Sequence, residues 1–430
     1  MSDATTNASQ SGQEEPLKNV LVTGGAGYIG SHVVYTLLKT RQYKVISIDN
    51  HHNSLPASLT RVSELALEEH KASLGPNAQL SQRDIDSTII DAHDCDLTNH
   101  SAVREIFGKY YSSENGKGGI WGVVHIAAYK AVGESTSIPL TYYQNNVSAT
   151  ISLLSIMLEF NCARLVYSSS ATVYGTPPEV PIPERTRREA DSPYGRTKVM
   201  CEMVVEDLCE SNGNAVADGT CHLVVSLVIR FHHLTTTTTG STSTPFQAIS
   251  LRYFNPAGAH PSGRIGEDPR GRPGNLLPLL AHMAVGRVKD PVLKVFGNDY
   301  PTVDGTCVRD YLHVLDLAGG HVLALQALQE GSTLNGKVFA SVKAGKGKFK
   351  AYNLGKGKGM SVLQIVEAMR KATGFEYKTE VVGRRRGDVP ALIADPSLAR
   401  TELGFDAPHD LETMCRDLWN WQKGNPAGYV

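Results

Sequence analysis

Residues 20–32 read Val20-Leu21-Val22-Thr23-Gly24-Gly25-Ala26-Gly27-Tyr28-Ile29-Gly30-Ser31-His32. The three apolar residues make a short buried strand. Glycines at 24, 25, 27 and 30 make a turn, and Val33, Val34, Leu37 and Leu38 then recur at helical spacing. Strand, glycine turn and helix together form a phosphate-binding geometry. Glycine lets backbone amides approach a pyrophosphate, and the helix N-terminus adds favourable charge. A tight strand-to-helix turn needs glycines anyway, so glycine content alone decides little. The spacing T-G-x-x-G-x-x-G between a strand and a helix points to a dinucleotide.

A second strand, Lys44-Val45-Ile46-Ser47-Ile48-Asp49, ends in an acid. Asp49 lies about 20 residues beyond Gly30, where a carboxylate takes both ribose hydroxyls of NAD and repels the 2′-phosphate of NADP. Read alone, Asp49 is equally a turn or capping residue; beside the glycines it selects NAD. Asn50, Asn53 and Ser54 follow in a polar loop that lines the same site.

The chain has 430 residues and a formal net charge of -1, so no broad polyanion-binding surface and no nucleic-acid partner are expected. No apolar run approaches the ~18 residues of a membrane span. Residues 1–16 are polar, lack the apolar core of a signal peptide and read as a disordered tail. The seven cysteines form no C-x-x-C and the fifteen histidines no H-E-x-x-H, so neither a metal site nor a disulfide framework is expected. A reducing, cytoplasmic setting fits.

Strand and helix patterns alternate onward. Asp96 and Leu97 sit at the end of a third strand, and Trp121 to Ala127 is an apolar strand leading through Ile126, Ala127 and Ala128 to Lys130. A helix over 141–160 carries Asn145, and the strand 163–167 runs into Ser168-Ser169-Ser170. This alternation predicts an α/β, Rossmann-like doubly wound parallel sheet with a smaller C-terminal α/β lobe. Such sheets bind ligands at the carboxyl ends of their strands, where these residues gather. The expected division is a cofactor domain over 17–257 and a substrate lobe over 258–430, with some of the latter's elements packing back.

Ser192-Pro193-Tyr194-Gly195-Arg196-Thr197-Lys198 opens a helix, with proline at its start. Tyr194 and Lys198 are four apart and share a face. A neighbouring ammonium favours phenolate, which makes Tyr194 a candidate general base for a sugar hydroxyl. The same spacing occurs at Tyr35/Lys39 and Tyr352/Lys356, but only Tyr194 follows a serine-ended strand in the nucleotide-binding half.

These motifs, with K-A-V-G-E-S (130–135), S-S-S-A-T-V-Y-G (168–175), L-R-Y-F-N-P-A-G-A-H-P-S-G (251–263), G-E-D-P-R-G (266–271), D-G-T-C-V-R-D-Y (304–311) and R-R-R-G-D (384–388), resemble the extended short-chain dehydrogenase/reductase family, and within it the UDP-sugar 4-epimerases. The resemblance implies a tightly bound NAD and interconversion of UDP-glucose and UDP-galactose, by C4 oxidation, rotation of the 4-ketopyranose and re-reduction, in a homodimer of galactose metabolism. It assigns Gly24, Gly27, Tyr28, Ile29 and Gly30 to the pyrophosphate, Asp49 with residues 50–54 to the adenosine ribose, and Asp96 with Leu97 to adenine. Residues 126–130 and Asn145 would line the nicotinamide half. Tyr194 would be the base, Lys198 would hold the nicotinamide ribose and Ser170 the reacting hydroxyl. Tyr253 and Phe254 would meet the cofactor, and Phe254 and Asn255 the substrate. Asn275, Leu276, Lys294, Val295 and Phe296 would line the UDP-sugar pocket, with Lys130 shared. Arg309, Arg385 and Asp388 would grip the diphosphate and uridine ribose. Taken alone, Arg384-Arg385-Arg386 reads as a solvated charge run.

The chain departs from the pattern at Leu392, a position bordering the sugar where relatives often carry Tyr or Cys; leucine leaves activity on N-acetylated sugars open. A larger departure is residues 225–247. Val225 to Phe231 is an apolar run followed by a Thr/Ser-rich stretch, and it competes with Ile249-Ser250-Leu251-Arg252-Tyr253-Phe254 for one slot in the sheet. Val225-Ser226 and Phe246-Gln247 can be encoded by splice-donor and acceptor sequences, so the stretch reads as a translated retained intron, against a genuine surface loop. Residues 331–351, rich in Gly and Lys, read as a surface hairpin or loop. Two rival functions are a nucleotide-sugar dehydratase and a non-catalytic binding regulator. Ala171-Thr172 after Ser170, where dehydratase chemistry wants an acid pair, argues against the first, and intact Tyr194, Lys198 and Ser170 against the second.

Overall fold

The computed structural model describes residues 15–75, 77, 79–111, 119–217 (212–217 as backbone only), 244–343, 346–385 and 388–429. Its centre is a seven-stranded parallel sheet. The strands are β1 (Lys18–Thr23), β2 (Tyr43–Asp49), β3 (Ile90–Asp94), β4 (Gly122–His125), β5 (Arg164–Ser170), β6 (Gln247–Tyr253) and β10 (Lys348–Leu354), ordered β10-β6-β5-β4-β1-β2-β3. Every neighbouring pair is parallel. Helices on both faces explain why Val20, Leu21, Val22, Val45, Ile46 and Val124 are fully buried. The order reverses beside β1, between β2 and β4, which opens the crevice that doubly wound sheets use for ligands.

A smaller sheet carries the other half of the molecule. It pairs β9 (Val308–His313) with β7 (Asn255–Ala257), β11 (Gly359–Ser361) and β13 (Ala391–Leu392). A two-stranded parallel ribbon joins β8 (Val292–Phe296) to β12 (Lys378–Val382). The chain crosses between sheets at Phe254, the one residue separating β6 from β7.

Two expectations need comment. Residues 331–351 are not a surface hairpin or loop: Thr333–Val338 is a short helix, and from Lys348 the chain is the edge strand β10. Lysines disguise that strand. Lys350 Nζ lies 3.1 Å from Glu402 and Lys348 Nζ 3.8 Å from Glu330, while Tyr352 and Leu354 are fully buried. For residues 225–247, the positions up to 243 lie outside the described residues. The slot between β5 and β10 is filled by Gln247–Tyr253, with Phe246 fully buried just before it.

Three fully buried histidines set an acid limit. Burial pushes His32 and His125 down to about 3 and His321 to about 4. Each is neutral when folded but takes a proton when unfolded below its ordinary 6.5, so stability is lost as pH falls. Stability should fall steadily between pH 6.5 and 4, as each unfolded histidine takes up a proton that its folded, buried counterpart refuses. Urea unfolding followed by circular dichroism should therefore show the midpoint falling throughout that interval, before most carboxylates titrate.

Candidate active site

The glycine turn is built by near-contacts that leave no room for side chains. A Cβ on Gly30 would lie 2.0 Å from the Gly24 carbonyl oxygen, and one on Gly24, at φ +71°, would lie 2.9 Å from the Ala127 backbone. The helix α1 (Tyr28–Lys39) thus starts directly over the end of β1, with its free N–H groups facing the crevice. Asp49, at the end of β2, accepts from Ala26 N–H at 3.0 Å through Oδ2, and from His51 N–H and Ser54 Oγ at 2.9 Å through Oδ1. Its carboxylate is fixed beside the turn before any ligand arrives. Asn50 Nδ2 donates to Asp96 Oδ2 at 2.8 Å, which joins the ends of β2 and β3. Leu97 packs partly buried against the core beneath.

On the other side of the switch point, Ile126 and Ala127 N–H both donate to Thr23 oxygens. Lys130 extends to Glu267 at 3.2 Å. Ser170 ends β5, and Tyr194 hydrogen-bonds to it. Tyr194 and Lys198 lie on the first turns of Pro193–Ala217, and Lys198 is only 3% exposed. Lys198 Nζ donates to Ser168 O at 2.7 Å and sits 5.0 Å over the Tyr167 ring.

The protonation differs from the lowered phenol expected from the Tyr-Lys spacing. Burial pushes Tyr194 up to about 12, with the Ser170 hydrogen bond pulling the other way, and burial brings Lys198 down to about 8. Desolvation dominates at the phenol, while the Lys198 ammonium is turned to Ser168 O. Tyr253 is buried and meets His321 at 6.1 Å between ring centroids; Phe254 is buried beside it.

At the mouth facing the smaller sheet, Arg309 Nη2 and Arg385 Nη2 both contact Asp388 Oδ1, at 3.2 and 3.0 Å. Arg385 also stacks over Phe296 at 5.4 Å. Leu392 pairs in register with Arg309 and packs against Ala171, Val173 and Phe254. Asn255 Nδ2 donates to Asp310 O at 3.0 Å. Asn275 precedes the helix Leu276–Ala284 without spending its side chain on a cap. Lys294 and Phe296 share the exposed face of β8, whereas Val295 is buried in the core, which leaves only its backbone for a ligand.

Two supporting residues had no sequence signal. Asn146, in a π-helical turn (Tyr143–Ser148), accepts from Tyr129 N–H and donates to Tyr129 O and Thr197 Oγ1, tying the loop after β4 to the helix of Tyr194. Asn145 only donates to its neighbour Asn146. His125 bridges Thr23 Oγ1 at 2.7 Å and Thr150 Oγ1 at 2.9 Å.

The profile of the NAD dependent epimerase/dehydratase family matches residues 20–339, from the glycine turn past the end of β9. The chain belongs to this family. It is 41% identical over 416 residues to a UDP-glucose 4-epimerase of Dictyostelium discoideum, covering 96% of this chain and 99% of that protein. The UDP-glucose 4-epimerase of Homo sapiens is 42% identical over 419 residues, covering 96% and 98%. The crystal structure of UDP-glucose 4-epimerase from Bifidobacterium longum, in complex with NAD+ and UDP, superposes with a TM-score of 0.73 at 37% identity, covering 96% of this chain and all of that one. The NAD dependence of the family agrees with the turn and the preset Asp49.

Asp49→Asn should remove the charge and, with an amide NH2 in place of one accepting oxygen, lose a hydrogen bond at this corner as well. Bound NAD, measured by extraction from purified protein, should fall, and the preference for NAD over NADP should narrow by roughly tenfold or more.

Proposed function

We propose that the protein interconverts UDP-glucose and UDP-galactose, with NAD kept bound throughout. The observation that supports this best is that Tyr194, Ser170 and Lys198 lie at the carboxyl end of β5 in the dinucleotide sheet, with Arg309 and Arg385 gathered on Asp388 in the smaller sheet's part of the molecule. NAD supplies a reversible hydride acceptor for C4 of the sugar. Ser170 orients the C4 hydroxyl and Tyr194 takes its proton, returning it when C4 is reduced again. Burial holds the Tyr194 phenol neutral at rest, so it serves as base only after releasing its own proton, as the phenolate. Lys198, anchored to Ser168, is positively charged at neutral pH and favours that phenolate. Arg309 and Arg385 exchange Asp388 for a diphosphate, to which guanidinium groups bind in bidentate fashion. An anchored diphosphate lets the keto-sugar turn over and present its other face, and its binding energy holds the reacting end in place.

Purified protein should convert UDP-galactose to UDP-glucose without added NAD. Tyr194→Phe should retain NAD and lose ~10²–10⁴-fold in kcat. Bound NAD with no turnover in the wild type would move the assignment to a binding regulator. Leu392 leaves a medium-sized wall beside the sugar, so UDP-N-acetylhexosamines are the second substrates to assay.

We assign the protein to the cytoplasm. The described cysteines are free and buried, as expected of a reducing compartment, and among the described residues no helix is long and apolar enough to cross a membrane.

The working unit we propose is a homodimer. Ile151 on the helix Ala149–Glu159, and Met200 and Met203 on the outward face of the Tyr194 helix, stand exposed on neighbouring helices. Val132, Ile138 and Leu140, the last 81% exposed, extend the apolar side chains along the adjoining short helices. Helices of this kind pack against their own copy about a twofold axis. A charge in the middle, as in Met203→Arg, should turn a dimer into a monomer in sedimentation velocity.

A further inference from the structure

The segment 266–270 lies between the C-terminal elements and the loops that flank the glycine turn. Its back is fixed to the C-terminal elements. Gly266 N–H donates to Tyr429 Oη at 2.9 Å, Trp421 Nε1 donates to Glu267 O at 3.0 Å, and Tyr429 N–H donates to Asp268 Oδ2 at 3.0 Å. Arg287 pairs with Asp268 at 3.2 Å. The Trp421 ring fills the space where a Cβ on Gly266 would be.

Its front reaches the cofactor domain on both sides of the glycine turn. Glu267 pairs with Lys130 in the loop after β4. Arg270 donates through its backbone N–H to Asn53 Oδ1 at 3.2 Å, and through Nη2 to Ser54 O at 3.0 Å, in the loop after β2. Gly27 and Tyr28 lie beneath, lining a recess shared with Asn53, Gly266, Asp268 and Arg270. Above the turn, His52 and Tyr129 from the two loops meet with ring centroids 4.9 Å apart. A dinucleotide stretched from Asp49 to Lys198 crosses the glycine turn between these two loops.

We propose that residues 266–270 are a retention strap for the dinucleotide, with Arg270 as its latch and Tyr429 as its anchor. The strap bridges the adenosine-side and nicotinamide-side loops, so the cofactor leaves only when one of these attachments opens. The guanidinium also places a positive charge near the pyrophosphate path. The cofactor of a hydride-returning cycle is never consumed, and slow release carries no penalty in turnover. The proposal rests on the family's NAD dependence and adds the element that governs its escape.

The test is exchange of bound NAD for isotope-labelled NAD, followed by mass spectrometry of the protein-bound pool, with thermal unfolding recorded in parallel. Arg270→Ala removes the guanidinium latch. Tyr429→Phe removes the hydroxyl while keeping the ring against Trp421. Arg272→Ala removes an equal charge two residues away. Exchange should accelerate about 5- to 20-fold in Arg270→Ala and Tyr429→Phe, and change less than twofold in Arg272→Ala. Unchanged exchange in both strap variants overturns the proposal, even if their unfolding temperatures fall, because that pattern is a domain clamp and not a cofactor strap. Equal acceleration by Arg272→Ala overturns it in favour of general charge attraction. Wild-type protein that purifies without nucleotide overturns the cofactor assignment itself, and the strap with it.

Discussion

Everything at the site depends on how closely Gly30 lies against the carbonyl of Gly24. With 2.0 Å between that oxygen and any Cβ, only hydrogen fits, and the first turn of α1 settles onto the end of β1. That contact aims the helix N-terminus at the crevice. It also brings Ala26 N–H to Asp49 and the Ala127 backbone against Gly24. A few steric exclusions, with the Asp49 carboxylate as the charged group that accepts from the turn, thus align the ends of β2, β1 and β4.

The catalytic helix is aligned by a different means. Glu202, one turn past Lys198, is fully buried and meets Arg252 of β6, with Oε2 2.7 Å from Nη2; Ser250 Oγ donates to Oε1 at 2.8 Å and Arg188 Nη1 lies 3.2 Å from Oε2. A buried pair of this kind costs much to desolvate and punishes any shift of register, since a shift would break several charge-assisted hydrogen bonds at once. The pairing fixes helix and strand to each other, and so places Tyr253 and Phe254 beside Tyr194. Steric exclusion positions the cofactor end, and a buried ion pair positions the reacting end.

What could be read in the sequence follows the range of each interaction. The glycine turn, Asp49 and the Tyr194–Lys198 face are local patterns, legible because strand and helix periods place the residues. Asn146 and His125 were not, because their roles come from partners 17 to 102 positions away in the chain. Glu267 and Arg270 stood within a quoted motif, but their partners lie 137 to 217 residues away. The start of β10 was hidden because Lys348 and Lys350 face acids at a sheet edge and mimic a loop, whereas the strand at Tyr352 could be read. The phenol of Tyr194 could not be read from spacing: four residues put Lys198 on the same face, but only the fold shows the dehydrated surroundings that push the phenol up.

The edge strand β10 has one more consequence, for synthesis. It lies beside β6 in the sheet, yet nearly a hundred residues, β7 to β9 and the helices among them, are made between the two strands. A ribosome must release the chain beyond Leu354 before the sheet has its last strand. Until then β6 is an open edge, with its hydrogen-bonding groups free for any passing strand. The nascent protein therefore depends on shielding of that edge during translation, and its two lobes reach their final form together, whichever was made first.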